Sequence, residues 1–209
     1  MSITVVLVDD HPLVLDGLEQ LLSSSPDFQV IARCSTAAEG LHAAQSLCPD
    51  VLVLDLSLPD ESGLNVLRKL ASKRPPAVAV LTASQDEEEL LAAVRLGARG
   101  VVLKAMAPRV LEDCIRTVHA GGLWLRVEGV DLSERLAQRQ RVETELSELL
   151  TPRELEILGL AATGLDNDAI AAKLAISVGT TKIHLHHIYD KLRLNGRSDL
   201  QKYLAAREY

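Results

Sequence analysis

The sequence predicts a doubly wound α/β domain with a five-stranded parallel sheet, then a helical linker and a small all-α unit. Three observations predict it. Short apolar runs alternate five times with helix-period segments through residues 1–122. The connections are short, and parallel strands joined by short connections need helices on both faces of the sheet. Beyond residue 146 the strand patterns stop and helix-capping signals recur.

The elements follow in order. Ile3–Val8 is an apolar strand and Leu13–Leu22 carries apolar residues at helix period. Phe28–Cys34 and Ala37–Leu47 form the second strand and helix. Val51–Leu54 is four apolar residues in a row, which suits a strand buried on both faces. A helix is expected near Leu64–Ala71, a strand at Ala77–Leu81, a helix at Glu87–Leu96 and a strand at Gly100–Leu103. The last helix of this part, Pro108–Ala120, places Leu111, Cys114, Ile115 and Val118 on one face and ends before Gly121-Gly122. The implied division is residues 1–122, a helical linker over 123–146, and a second unit over 147–209.

Composition narrows the classes. The chain is 47% hydrophobic and 24% charged, with no apolar run near the ~20 residues of a membrane span. Met1-Ser2-Ile3-Thr4 leads directly into a strand with no basic export signal, so a cytoplasmic protein is expected. Cys34, Cys48 and Cys114 match no zinc spacing and are expected reduced, within apolar faces. The net charge of −7 argues against blanket nucleic-acid binding. Its distribution is uneven: residues 1–122 carry 16 acidic and 10 basic side chains, residues 147–209 eight of each.

Polar residues collect at the strand ends. The first strand ends in Asp9-Asp10, the third in Asp55, the fourth in Thr82 and the fifth in Lys104. All fall on the carboxyl edge of the sheet, where open α/β folds bind ligands. Clustered carboxylates repel one another unless a cation joins them. A hard, oxygen-seeking ion such as Mg²⁺ meets that need. An acceptor carboxylate, a metal, a lysine and a hydroxyl are the parts that stabilise a transferring phosphoryl group.

Asp9-Asp10, Asp55, Pro59, Gly63, Thr82-Ala83 and Lys104 together resemble the receiver domain of two-component response regulators, over residues 3–121. The resemblance implies a flavodoxin-like fold and makes Asp55 the acceptor of a phosphoryl group from a sensor histidine kinase. It implies Mg²⁺ on Asp10, Asp55 and the Ser57 backbone carbonyl, with Asp9 acting through a water. Thr82 and Lys104 would hold the phosphoryl oxygens, and the small Ala83 would leave room for phosphate. Two positions depart from the pattern. Val101 stands where many receivers carry Tyr or Phe, and Ala105 where related members commonly have Asp.

Residues 126–146 are charged and polar, and Leu132, Leu136, Val142, Leu146 and Leu149 form a broken helical stripe, read as a solvated tether. Thr151-Pro152-Arg153-Glu154 is a strong helix start, with Thr151 as N-cap and Glu154 completing a capping box. Gly164 suits a left-handed stop. Asp166 caps a short helix, and after Ala175-Ile176 the hydroxyl of Ser177 caps the next, giving a helix-turn-helix candidate. In that last helix Val178, Thr181, Leu185, Ile188 and Leu192 form the inward stripe. Ile183 and His187 point outward, flanked by Lys182 and His186, an arrangement suited to the major groove. His184, His186 and His187 do not converge on a metal.

Leu150–Glu154, Gly164, Asn167, Ile170-Ala171, Leu174, Ile176-Ser177, Thr180-Thr181-Lys182, His184, Ile188, Lys191-Leu192 and Arg197 resemble the LuxR-type helix-turn-helix domain, over residues 150–204. With the receiver in front, the whole chain looks like a NarL/FixJ-type response regulator. The resemblance implies a phosphorylation-controlled transcriptional regulator, not an enzyme beyond its own phosphorylation and dephosphorylation. Lys182, Ile183 and His186 would approach base edges of double-stranded promoter DNA; Thr180 and Lys191 would contact phosphates. A homodimer is expected on phosphorylation, with no membrane partner.

Three other readings compete. An aspartate-nucleophile phosphohydrolase of the haloacid dehalogenase type needs a second Asp two residues after the first, and that residue is Ser57. A flavodoxin-like cofactor binder needs a Gly- or hydroxyl-rich loop where this chain has Asp9-Asp10-His11-Pro12. A DNA-binding regulator uncoupled from phosphorylation, answering to a partner or ligand, is motivated by Val101.

Overall fold

The computed structural model describes residues 2–70, 75–127 and 129–207. They form two compact units, Met1–Ser133 and Glu134–Tyr209. In the first, β1 (Ile3–Val8), β2 (Phe28–Cys34), β3 (Val51–Leu54), β4 (Ala77–Thr82) and β5 (Gly100–Leu103) make one parallel sheet in the order β2-β1-β3-β4-β5. The helices are α1 (Pro12–Ser23), α2 (Ala37–Leu47), α3 (Gly63–Lys69), α4 (Glu87–Arg95) and α5 (Ala107–His119). α3 was expected to reach Ala71, which lies outside the described residues.

Each apolar strand feeds both faces. Val5, Leu7, Val51, Val53, Ala79, Leu81 and Val102 pack with Leu15, Leu18 and Leu22 of α1 and Leu111, Cys114, Ile115 and Val118 of α5. The alternate residues Val6, Val8, Leu52, Leu54, Val80 and Val101 are buried as well, on the side of α2, α3 and α4. At roughly 1.5–3 kcal/mol per buried large aliphatic side chain, this two-faced core is the main term holding the sheet. Gly100 keeps α5 close: a Cβ there would lie 2.5 Å from Cys114 Sγ.

The cysteines divide. Cys34 and Cys114 are buried, and burial pushes their thiols up to about 11 and about 12. Cys48 corrects the expectation, because it is exposed. It closes α2 in the left-handed conformation (φ 47°), a turn that takes it out of the helix's apolar stripe.

Two features of the segment after α5 have no counterpart in the sequence reading. Trp124 bridges Gly100 at the edge of β5, donating its amide to the Arg99 carbonyl at 2.8 Å and accepting from the Val101 amide at 2.8 Å. A short antiparallel pair, β6 (Arg126–Val127) and β7 (Val130–Asp131), then precedes α6 (Leu132–Leu149). The stripe on α6 is divided between the units. Leu132 is buried in the first. Val142 and Leu146 continue as an i, i+4 series with Leu150 into the second core, while Leu149 is exposed. That half of the segment is a packed helix and not a solvated tether.

The second unit adds α7 (Pro152–Ala162), α8 (Asn167–Leu174), α9 (Val178–Leu192) and α10 (Arg197–Ala205) around Ile157, Leu158, Ala161, Ile170, Leu185, Ile188, Leu192 and Leu200. Each expected cap is present. Thr151 and Glu154 form the capping box, Asp166 accepts from the Ala169 amide and Ser177 from the Thr180 amide. Such a cap contributes about 1 kcal/mol.

Glu154 does more than cap. Its carboxylate also accepts from Lys191 Nζ at 2.6 Å, which joins the start of α7 to the end of α9. Burial pushes this carboxyl up, but the Lys191 ammonium and the Thr151 amide and hydroxyl outweigh it and hold the group at about 2. A depressed carboxyl contributes stability above its unfolded value, about 4.3, and that stability is lost as pH falls through the folded value. Glu154→Gln is expected to destabilise this unit by about 1.5–3 kcal/mol at pH 7. The gap to wild type should close as pH falls toward 2. Urea unfolding read by tyrosine absorbance checks it, since Tyr189, Tyr203 and Tyr209 are all in this unit; equal stability at pH 7 would show the pair contributes nothing.

Candidate functional site

The strand order puts the topological switch point between β1 and β3, where ligands bind in such sheets. Register does the rest. Val8 pairs with Leu54 and Leu54 with Val80, so Asp9 and Asp55 leave adjacent strands at the same level. Thr82 pairs with Leu103, which brings Lys104 to the same edge. The expected five residues therefore share one rim.

Asp9 and Asp55 are only 1% and 2% exposed. Lys104 Nζ lies 2.7 Å from both Asp9 Oδ2 and Asp55 Oδ2. Burial pushes the Asp55 carboxyl up, Asp9 adds to that, and the lysine and the Ser57 amide oppose it; the net direction is upward. Burial pulls the Lys104 ammonium down, but hydrogen bonds to Asp55 and Asp9 carry it above its ordinary value. Thr82 is wholly buried, its hydroxyl accepting from the Ser84 amide at 3.0 Å, while Ala83 is exposed beside it. The Ser57 amide reaches Asp55 Oδ1 at 3.3 Å.

The donor set fits a divalent ion. Asp9, Asp10 and Asp55 against one ammonium leave a formal charge of minus two at the rim. Asp9 Oδ2 lies 2.7 Å from the Lys104 ammonium and Asp10 Oδ1 2.7 Å from His11 Nδ1, so a single lysine is left to balance three carboxylates. Hard oxygen donors with unmet charge are what Mg²⁺ binds. His11 belongs to this cluster too, and the sequence reading did not include it: one ligand atom from each of Asp9, Asp10, His11 and Asp55 lies within 4.8 Å of the others. Its position directly after Asp9-Asp10 was the available signal.

The loop after Asp55 is tied down from both ends. Asp60 accepts from the Ala37 and Ala38 amides at 2.8 and 3.0 Å, and these bonds hold its carboxyl below the usual range. Gly63 donates to the Leu56 carbonyl at 2.9 Å. A Cβ on Gly63 would lie 2.3 Å from the Asp55 carbonyl oxygen, so only glycine lets α3 begin this close to the end of β3.

In the second unit α8, the left-handed Ala175 (φ 52°) and α9 form a helix-turn-helix. Arg153 donates to the Leu174 carbonyl at 3.1 Å, satisfying the end of α8. Arg197 donates to the Leu165 carbonyl and, at 3.4 Å, to Asn167 Oδ1. On α9 Thr181, Leu185, Ile188 and Leu192 are buried, whereas Lys182, Ile183, His186 and His187 are exposed. Ile183 is 58% exposed, although burial normally claims a large β-branched side chain. Thr180 is half-buried at the helix start, and Lys191 is held by Glu154.

Residues 5–116 match the response regulator receiver domain and residues 148–204 the luxR family of bacterial regulatory proteins. The chain belongs to the response regulators that join these two domains. It is 37% identical over 199 residues to the nitrate/nitrite response regulator protein NarL of Escherichia coli K12, covering 93% of this chain and 91% of that one. Among solved structures it is similar to the RcsB response regulator of Salmonella typhimurium (TM-score 0.66, 26% identity, 98% of this chain and 100% of that one). A structure of the RcsB–DNA complex is similar at TM-score 0.63 and 26% identity, over 98% of both chains. As a response regulator with a LuxR-type domain, the chain is a DNA-binding transcriptional regulator and not a metabolic enzyme. Among the described residues no helix is long and apolar enough to cross a membrane.

Gly63→Ala is expected to destabilise the first unit by about 1–3 kcal/mol, because the clash is with backbone that cannot move aside. A lowered midpoint of urea unfolding by fluorescence of Trp124, the single tryptophan, is the check. An unchanged midpoint would show that the β3–α3 junction has room.

Proposed function

We propose that Asp55 accepts a phosphoryl group from a sensor kinase's phosphohistidine and that this controls binding of the second unit to promoter DNA. The observation that carries the reading is the Lys104 ammonium set between two buried carboxylates, Asp9 and Asp55, at the switch point. In this reading residues 1–122 are the phosphoacceptor domain, 123–146 the linker and 147–209 the DNA-binding domain.

Asp10, Asp55 and the Ser57 carbonyl would hold Mg²⁺, with Asp9 acting through a water. When bound, the ion supplies positive charge to the equatorial oxygens of the transferring group. An Asp55 oxygen forms the new P–O bond as the P–N bond of the donor breaks. Lys104 moves from the Asp55 carboxylate to a phosphoryl oxygen, and Thr82 turns its hydroxyl from the Ser84 amide to another. Ala83 leaves the approach open. The protein thus assists its own phosphorylation and dephosphorylation without acting on another substrate.

On the second unit, Lys182, Ile183 and His186 read base edges in the major groove, with Ile183 against thymine methyls. Thr180 contacts phosphate at the start of α9, and Lys191 does so with the donors not engaged by Glu154. Equal numbers of acidic and basic residues in 147–209 give one monomer few net phosphate contacts. Since phosphate neutralisation dominates such affinity, dimerisation on phosphorylation doubles what a single domain supplies. A cytoplasmic location suits both the kinase and the promoter.

Incubation with a small phosphodonor and Mg²⁺ is expected to label the wild type once per chain, to leave Asp55→Asn unlabelled, and to raise the dimer fraction in ultracentrifugation of the wild type alone. Label on Asp55→Asn would overturn the acceptor assignment. Label without dimerisation would favour a regulator uncoupled from its phosphate.

A further inference from the structure

Asp60 anchors the loop between β3 and α3, and the phosphoryl-transfer reading leaves it without a task. The residue is exposed, yet both its carboxylate oxygens are engaged. Oδ1 accepts from the Ala37 amide at 2.8 Å and Oδ2 from the Ala38 amide at 3.0 Å. These are the first two amides of α2, donors that a helix cannot satisfy within itself. α2 does not need Asp60 for its start. Thr36 caps it by accepting from the Glu39 amide at 3.2 Å, and the Glu39 carboxylate accepts from the Ser35 amide at 2.8 Å and the Ser35 hydroxyl at 3.1 Å. Asp60 is therefore an anion from a separate loop, seated on the remaining donors at the positive end of a helix that is already capped.

The anchor is transmitted along the loop. Only Leu58 and Pro59 separate Asp60 from Ser57. The Pro59 ring fixes its own φ, and the residue before a proline is confined to extended backbone. Both links are stiff, so holding Asp60 holds Ser57. The base of the loop is closed by the Gly63 amide on the Leu56 carbonyl at 2.9 Å. The Ser57 amide reaches Asp55 Oδ1 at 3.3 Å, a long bond that leaves much of the positioning to the anchor.

Resting on the acidic-pocket reading above, we infer that Asp60 is a positioning residue for the divalent-ion site: seated on the N-terminus of α2, it holds the Ser57 carbonyl in place as the backbone ligand that accompanies Asp10 and Asp55. Asp60 is not one of the clustered donors, which are Asp9, Asp10, His11 and Asp55. It acts through the loop. Ordering a free loop at the moment of binding subtracts its lost conformational freedom from the affinity, and a loop fixed beforehand avoids that cost.

The test is Mg²⁺ binding to the full chain by isothermal titration calorimetry, with no phosphodonor present. Asp60→Ala is expected to raise the Mg²⁺ dissociation constant about tenfold, the low end of what loss of a hydrogen bond to a charged group costs. Asp60→Asn loses the charge but keeps one acceptor oxygen, and should fall between Asp60→Ala and wild type. Thr36→Ala removes the cap of α2 and leaves Asp60 in place. It should lower the urea unfolding midpoint of the first unit, read by Trp124 fluorescence, and keep the wild-type dissociation constant. Three results would overturn the inference and leave the oxygen pocket intact: an unchanged constant in Asp60→Ala, equal losses in Asp60→Asn and Asp60→Ala, or the same loss in Thr36→Ala. No Mg²⁺ binding by the wild type would overturn the acidic-pocket reading, and this inference with it.

Discussion

The ammonium of Lys104 between Asp9 and Asp55 is the contact on which the first unit's chemistry rests. Two carboxylates that are nearly inaccessible to water cannot both stay charged without a cation. The sheet order creates that problem, because β1 and β3 are paired neighbours whose carboxyl ends lie level. It also supplies the answer, since β5 ends on a lysine that crosses over β4 to reach them. Buried ion pairs of this kind are weak contributors to stability, and their value here lies in a cationic partner that can change hands. A divalent ion or a phosphoryl group entering the rim redistributes the same few charges.

Much of this was legible in the sequence because strand ends and caps are local. Four apolar residues before Asp55 placed it at an edge, and Thr151, Asp166 and Ser177 announced three helix starts that the structure shows. The inward stripe of α9 followed from its period alone, and four of its five members are buried. What the sequence concealed depends on distant partners or on a local turn. The Glu154 carboxylate reads as a cap until Lys191, 37 residues on, is seen against it. β6 and β7 are two residues each, too short for any periodicity, and Trp124 joins the sheet edge through backbone bonds that carry no side-chain signature. Cys48 was misplaced because a left-handed turn ended the helix before the apolar stripe reached it. Val142 and Leu146 looked like fragments of a tether because Leu149, not Leu150, was taken as the next member of their series.

Val101 bears on how the charge rearrangement reaches the rest of the chain. It is fully buried on the side of α4, with no aromatic ring to rotate. What it does offer is a backbone bond to Trp124, the first residue beyond α5 to touch the sheet. Thr82, on the neighbouring strand, is equally buried, its hydroxyl accepting from the Ser84 amide. The chemistry at Asp55 and the exposed face of α9 are each complete within their own unit. The account stands or falls on whether one controls the other.

The direct measurement is the affinity of the full chain for a promoter fragment selected from genomic DNA, titrated at fixed salt with and without beryllofluoride and Mg²⁺. The account predicts tighter binding with the phosphoryl mimic in the wild type and no change in Asp55→Asn. Equal affinity in the wild type with and without the mimic would contradict it.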